Sequence, residues 1–260
     1  MESYQIVLVA GLLALTALVV GFAYRVRGPE DRFCISVLRL LCLAVCRLIH
    51  RLEHNPVADP LPPDGPCIVV ANHRSAVDPV LVAGVTRRWI RFLMAREYYE
   101  LPGMRLLFRY LGCIPVNRDG NDLTATRRAL EALREGKAIG IFPQGGIRDP
   151  DDDLESVKAG VALLALRSKA PVIPLYIDGS PHSDSVLVSI LRPSRSRIFC
   201  GEPLETSREN GKPSREELAR FTAEIREAIA RLRDKALSLD ATGSRVEDPA
   251  ALSREPPGKG

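Results

Sequence analysis

His73 and Asp78 sit five residues apart in the string NHRSAVD at 72–78, directly after the apolar run CIVVA at 67–71. An imidazole can take a proton from a hydroxyl near neutral pH. A carboxylate on its other ring nitrogen fixes the tautomer and stabilises the imidazolium as it forms. Such a pair needs no protein nucleophile, so transfer of a group to an external alcohol is the chemistry these residue types offer. A purely local reading stands beside it. Asp78 precedes Pro79, and Asp at an N-cap with Pro at the first helical position is an ordinary helix start.

Positioning such a pair needs a strand before it and a helix after it, and the chain supplies both repeatedly. Apolar runs predict strands near 67–71, 90–95, 112–116, 138–142, 172–178 and 196–200. Helical spacing predicts helices near 79–87, 104–110, 122–135, 156–168 and 214–238. Gly136 stands at a helix C-cap position, and Ser214 with Glu217 forms a capping box. Strands alternating with helices predict an α/β fold with a largely parallel central sheet flanked by helices. The Pro-rich stretch NPVADPLPPDGP at 55–66 leads into the first core strand.

The string at 72–78 resembles the HxxxxD motif of the glycerolipid acyltransferase family, membrane enzymes that acylate lysophosphatidic acid and related acceptors. Three further strings resemble that family's later blocks, in order: GCIPVNRD at 112–119, IFPQGGIRD at 141–149 and APVIPLYIDG at 170–179. The resemblance spans about residues 60–200. It implies that His73 is the general base and Asp78 its orienter. It places Asn72, Arg118, Phe142, Pro143, Gln144, Gly145, Gly146 and Arg148 at the substrate site. Arg118 is the expected phosphate grip, by two parallel hydrogen bonds, with Arg148 serving the same anion. The alternative is a surface Arg118 paired with Asp119 or Asp122. Backbone N–H groups at Gly145 and Gly146 are the expected oxyanion donors, because glycine lets the backbone approach a ligand. Lys158 and Gly160 resemble the family's Lys-x-Gly at a helix head.

One block departs from the pattern. Gln144, Gly146 and Ile147 stand where the family has Glu, Thr and Arg. Gln keeps the shape and an acceptor oxygen but carries no charge. The expected acceptor is 1-acylglycerol 3-phosphate, giving phosphatidic acid, with acyl-CoA or acyl carrier protein as donor and no cofactor or metal. The alternatives are the same chemistry on a phosphate-free lipid hydroxyl, or a lipid-binding protein without activity. No GxSxG elbow, P-loop, GxGxxG or HExxH supports a serine hydrolase, nucleotide-dependent enzyme or zincin.

At 260 residues with a net charge of +4, the chain suits one α/β domain with appendages and gives no case for nucleic acid. Residues 5–24 carry no charge, about the length that crosses a bilayer core. Arg25 and Arg27 follow that segment, which predicts a signal anchor over 1–27 with the body on the cytoplasmic side of the membrane. Taken as one helix, 31–52 puts Arg32, Arg39 and His50 on one line, with Arg47 and Arg51 nearby. That stripe predicts an interface helix over 28–54 lying on anionic membrane lipids. The catalytic domain is then 55–239, and 240–260 is a polar tail expected to be disordered. The six cysteines form no CxxC and are expected to be free thiols.

Overall fold

The structure is a computed structural model that describes residues 33–54, 59–117, 122–147, 157–206 and 213–242. The first described helix, α1 (Phe33–Ala44), continues as a π turn over Val45–Ile49 and is followed by β1 (Glu53–His54). Then come β2 (Cys67–Ala71), α2 (Asp78–Gly84), β3 (Ile90–Ala95), α3 (Arg96–Tyr99), α4 (Met104–Tyr110) and β4 (Ile114–Val116). The second half holds α5 (Leu123–Arg134), β5 (Ala138–Ile141), α6 (Gly160–Ser168), β6 (Val172–Asp178), α7 (Val186–Leu191), β7 (Arg197–Cys200) and α8 (Arg215–Thr242).

The strands form one sheet of seven in the order β1-β7-β6-β2-β5-β3-β4. Every pairing is parallel except β6 with β7, which is antiparallel. β2 is central and apolar at every position because both of its faces are covered. Ile68 and Val70 point into a core shared with α5, α6 and α8, through residues such as Ala129, Ala165, Ile225 and Ile229. Cys67, Val69 and Ala71 point the other way, onto Val77, Leu81 and Val82 around α2. The largely parallel α/β architecture expected from the strand and helix pattern is therefore present. β2, β5 and β6 lie side by side, so their C-terminal ends open at one place, where open α/β sheets put their ligands.

Helix ends follow their local chemistry. Ser214 N–H donates to Glu217 Oε2 at 2.6 Å and Glu217 N–H donates to Ser214 Oγ at 3.0 Å, closing the capping box. The Asp122 carboxylate caps α5, accepting from Ala125 N–H at 2.9 Å, and also accepts from Asn117 N–H at 3.0 Å. The Ala125 bond, then that from Asn117, holds the Asp122 carboxyl below its ordinary range.

The segment at 31–52 differs from the expected basic stripe. Arg39 and His50 are buried, and the exposed positions are Leu41, Ala44, Arg47, Leu48 and Arg51. Arg39 donates to the carbonyl of Arg87, just beyond the end of α2. Arg39 and His50, which share one line, therefore face inward, and Leu41, Ala44 and Leu48 face out with Arg47 and Arg51. No helix among the described residues is long and apolar enough to cross a membrane. The charge-free run 5–24, Arg32, and the tail beyond Thr242 lie outside the described residues.

Candidate active site

β2 delivers the loop 72–77 to the mouth of the crevice, and α2 begins directly behind it. Asn72 anchors the loop: its Oδ1 accepts from Ile177 N–H at 2.7 Å and its Nδ2 donates to Ile177 O at 2.9 Å. Both ends of that amide are thus engaged by β6, so Asn72 acts on the site by fixing the loop.

His73 Nδ1 lies 3.0 Å from Asp78 Oδ2. The same oxygen accepts from Arg74 N–H at 2.7 Å and Ser75 N–H at 2.8 Å. Asp78 is the first residue of α2, with Val77 at the N-cap position and no side-chain cap. Its carboxylate is turned back toward the loop, so the local capping reading does not hold. Asp78 is fully buried whereas the His73 side chain keeps 17% exposure, so the base reaches solvent and its orienter does not. A carboxylate is acceptor-only, so His73 Nδ1 carries the proton and Nε2 is left with a lone pair. Nε2 has no protein partner among the described residues.

β5 supplies the floor. The Phe142 ring stacks on His73 with centroids 4.1 Å apart and planes 16° apart, and it also stacks on Phe92 at 5.7 Å. Gln144 is buried, and its Oε1 accepts from His73 N–H at 3.0 Å. The Phe142–Gln144 segment therefore grips the base by ring and by backbone, which the sequence does not announce. Gly145 N–H closes a turn onto Phe142 O at 3.2 Å, and Gly146 N–H has no partner among the described residues. Gly145 sits at φ +73, and a Cβ there would lie 2.8 Å from Lys158 Nζ. Lys158 is itself tied in, its N–H donating to Pro143 O at 3.2 Å. Arg118 and Arg148 lie outside the described residues.

A second layer locks the loop from behind. Arg74 pairs with Asp178 at 3.1 Å, and Arg197 donates to the other Asp178 oxygen at 3.2 Å. Ser75 Oγ donates to Ser189 Oγ of α7 at 3.1 Å. Neither contact is signalled by spacing, because their partners lie over a hundred positions away. The buried thiols offer no competing nucleophile. Burial pushes Cys46 and Cys200 up to about 12 and Cys113 to about 11, so all three are protonated at neutral pH.

An imidazole with one nitrogen locked and the other open, at the carboxyl ends of three adjacent strands, can activate an alcohol. The Acyltransferase family matches this chain over residues 53–178, a span that holds the His73–Asp78 loop and the Phe142–Gly146 turn. That span is an acyltransferase domain. The Bacillus subtilis 1-acyl-sn-glycerol-3-phosphate acyltransferase is 27% identical over 206 residues, covering 78% of this chain and 97% of that one. The crystal structure of the Thermotoga maritima 1-acyl-sn-glycerophosphate acyltransferase superposes with a TM-score of 0.60 at 25% identity, covering 91% of this chain and 98% of that one. An N-acylphosphatidylethanolamine synthase from Arabidopsis thaliana is 30% identical over 126 residues, 45% of this chain and 44% of that protein. This acyltransferase thus has relatives whose names differ in the acceptor.

Proposed function

We propose that this acyltransferase moves a fatty acyl group from acyl-CoA or acyl carrier protein to the free hydroxyl of 1-acylglycerol 3-phosphate, giving phosphatidic acid, at a membrane surface. The open Nε2 of a His73 locked by Asp78 carries this reading. Nε2 takes the hydroxyl proton as the oxygen attacks the thioester carbonyl. The carbonyl oxygen becomes an oxyanion, for which the Gly146 N–H, without a partner among the described residues, is a backbone donor. On collapse the C–S bond breaks, and the imidazolium returns its proton to the departing sulfur. One C–O bond has formed, one thiol has left, and His73 is again neutral.

The acceptor's phosphate is assigned to Arg118, with Arg148 serving the same anion. Lys158, whose ammonium lies against Gly145, adds positive charge beside that turn. The names of the Bacillus and Thermotoga relatives support the phosphate-bearing acceptor. A second reading keeps the chemistry and changes the acceptor. It is favoured by Gln144, which places no charge beside the base. A panel of acceptors separates the two: thiol release by protein in detergent, with 1-acylglycerol 3-phosphate against phosphate-free hydroxyl lipids. The phosphate-bearing acceptor is expected to have the highest kcat/KM, and Arg118→Ala to remove that advantage. A faster phosphate-free acceptor in the wild type contradicts the assignment.

Attachment to a membrane is supported by the surface. α7 exposes Val186, Leu187, Val188 and Leu191, and the neighbouring π turn and α1 expose Leu48 and Leu41. Ser194 N–H, just after α7, donates to Ile49 O at 3.2 Å, so the exposed apolar groups lie on adjacent segments. Exposed Arg47, Arg51, Arg192 and Arg195 lie along the same segments. An apolar face set among cations suits the headgroup boundary of anionic lipid.

A further inference from the structure

His50 is fully buried and has no part in the reaction just described. Its Nδ1 lies 2.8 Å from Ser194 Oγ, which lies 2.8 Å from Ser196 Oγ. Its Nε2 is buried with no partner among the described residues, and so is Oδ1 of Asp78. Two such atoms are costly unless something joins them.

The helix register brings them to the same place. α1 with its π turn runs antiparallel to α2: Arg39 bonds the Arg87 carbonyl, and Cys46 Sγ lies 3.4 Å from the Val80 carbonyl. One more turn carries position 50 to the start of α2, where Asp78 sits. The π turn sets the direction of the ring, since His50 N–H donates to Val45 O, five residues back, at 3.1 Å. The 194–196 segment then holds the backbone in place through Ser196 N–H donating to His50 O at 2.9 Å.

We propose that His50 is a positioning residue for the catalytic carboxylate, its Nε2–H reaching Asp78 Oδ1 through one bridging water while Oδ2 serves His73. The polarity of the chain is consistent. Asp78 is acceptor-only, so the water donates to Oδ1; with Nε2–H donating to that water, Ser194 Oγ–H donates to Nδ1. Burial, the largest influence, lowers the His50 pKa, with the Ile190 carbonyl and then the Asp78 charge acting against it. A buried neutral imidazole is what the donor role requires. The other titratable or charged groups on the elements around the pair are the exposed Arg47, Arg51, Arg192 and Arg195, together with Arg39, Cys46, His73, Arg74, Asp178 and Arg197. Cys46 is neutral, and Asp178 is already held between Arg74 and Arg197.

The inference rests on His73 being the base, and its test reads both separately. The chain has four histidines, so the full protein in detergent, labelled at histidine Cε1, gives a countable NMR spectrum in which His73 can be titrated directly. Without a donor on Oδ1 the carboxylate pulls harder on the imidazolium proton. His50→Phe is therefore expected to move the His73 titration and the acid limb of kcat/KM upward in pH. Its kcat is expected to fall about tenfold, the equivalent of one hydrogen bond to a charged group, with KM for both substrates unchanged. His50→Gln, which restores an N–H at similar reach, is expected to recover both readouts. An unmoved His73 titration in a folded His50→Phe protein, whatever its melting temperature, overturns the proposal. If His50→Phe does not fold, Ser194→Ala takes its place, with a smaller upward shift expected and no shift overturning. Full activity in His73→Ala would instead show that the base has been misassigned.

Discussion

At the scale of single residues, the site is a set of contacts on one imidazole. Asp78 fixes its tautomer, Phe142 its plane and Gln144 its backbone. Asp78→Asn leaves an amide that can accept from the loop N–H groups but sets the wrong tautomer on His73. We expect kcat to drop about 10²–10⁴-fold. A stability loss of about 1–3 kcal/mol should accompany it, because a buried, multiply bonded oxygen is disturbed. Denaturant melts and turnover on one preparation check this, and a folded variant with near-normal kcat contradicts the assigned role. Gln144→Glu keeps the acceptor oxygen for His73 N–H, so folding should survive. Its charge would oppose an anionic acceptor. We expect KM to rise for 1-acylglycerol 3-phosphate and to stay level for phosphate-free acceptors. Equal changes for both would remove Gln144 from the acceptor site.

At the scale of elements, what was legible in the sequence followed from burial. β2, β3 and β6 are apolar runs packed between helices, and their observed bounds match the expected 67–71, 90–95 and 172–178. The His–Asp pair was legible because both partners fall within one loop. β1, α3 and α7 were not, since two polar residues, a four-residue turn and a six-residue helix carry no period long enough to detect. The inward turn of Arg39 and His50 escaped because a helical wheel groups residues on one face but does not say which face is packed; the partners that bury them, the Arg87 carbonyl and Ser194, are distant in sequence. The same limit hid the Ser75–Ser189 and Arg74–Asp178 contacts, which depend on the sheet order. Gly179 shows how tightly the β6–β7 connection is built: it sits at φ +67, and a Cβ there would fall 2.1 Å from the Arg195 carbonyl. Gly179→Ala should cost about 1–3 kcal/mol and loosen the Asp178–Arg74 pair behind the catalytic loop. A thermal melt unchanged from wild type contradicts this account of the turn.

At the scale of the whole molecule, the apolar face of α7 and the crevice are parts of one arrangement. α7 turns Leu187 outward and Ser189 inward, onto Ser75 of the catalytic loop. A lipid surface held by that face would bring an amphiphilic acceptor to the loop it supports. Leu48→Glu with Leu187→Glu should therefore release a form lacking residues 1–25 from vesicles of anionic lipid, while thiol release in detergent persists. Undiminished sedimentation with those vesicles contradicts the placement of the face. Raised salt should weaken the binding of the unsubstituted truncated form, through screening of its cations.

The central claim, that His73 held by Asp78 deprotonates the acceptor hydroxyl, meets its most direct test in acceptor-dependent thiol release. Wild type and His73→Ala are compared in detergent with a saturating acyl thioester, with and without 1-acylglycerol 3-phosphate. The account predicts that the acceptor stimulates release only in the wild type, with His73→Ala slower by about 10²–10⁴-fold and equally well folded by circular dichroism. Acceptor-dependent release by a folded His73→Ala protein at a rate near wild type would contradict it.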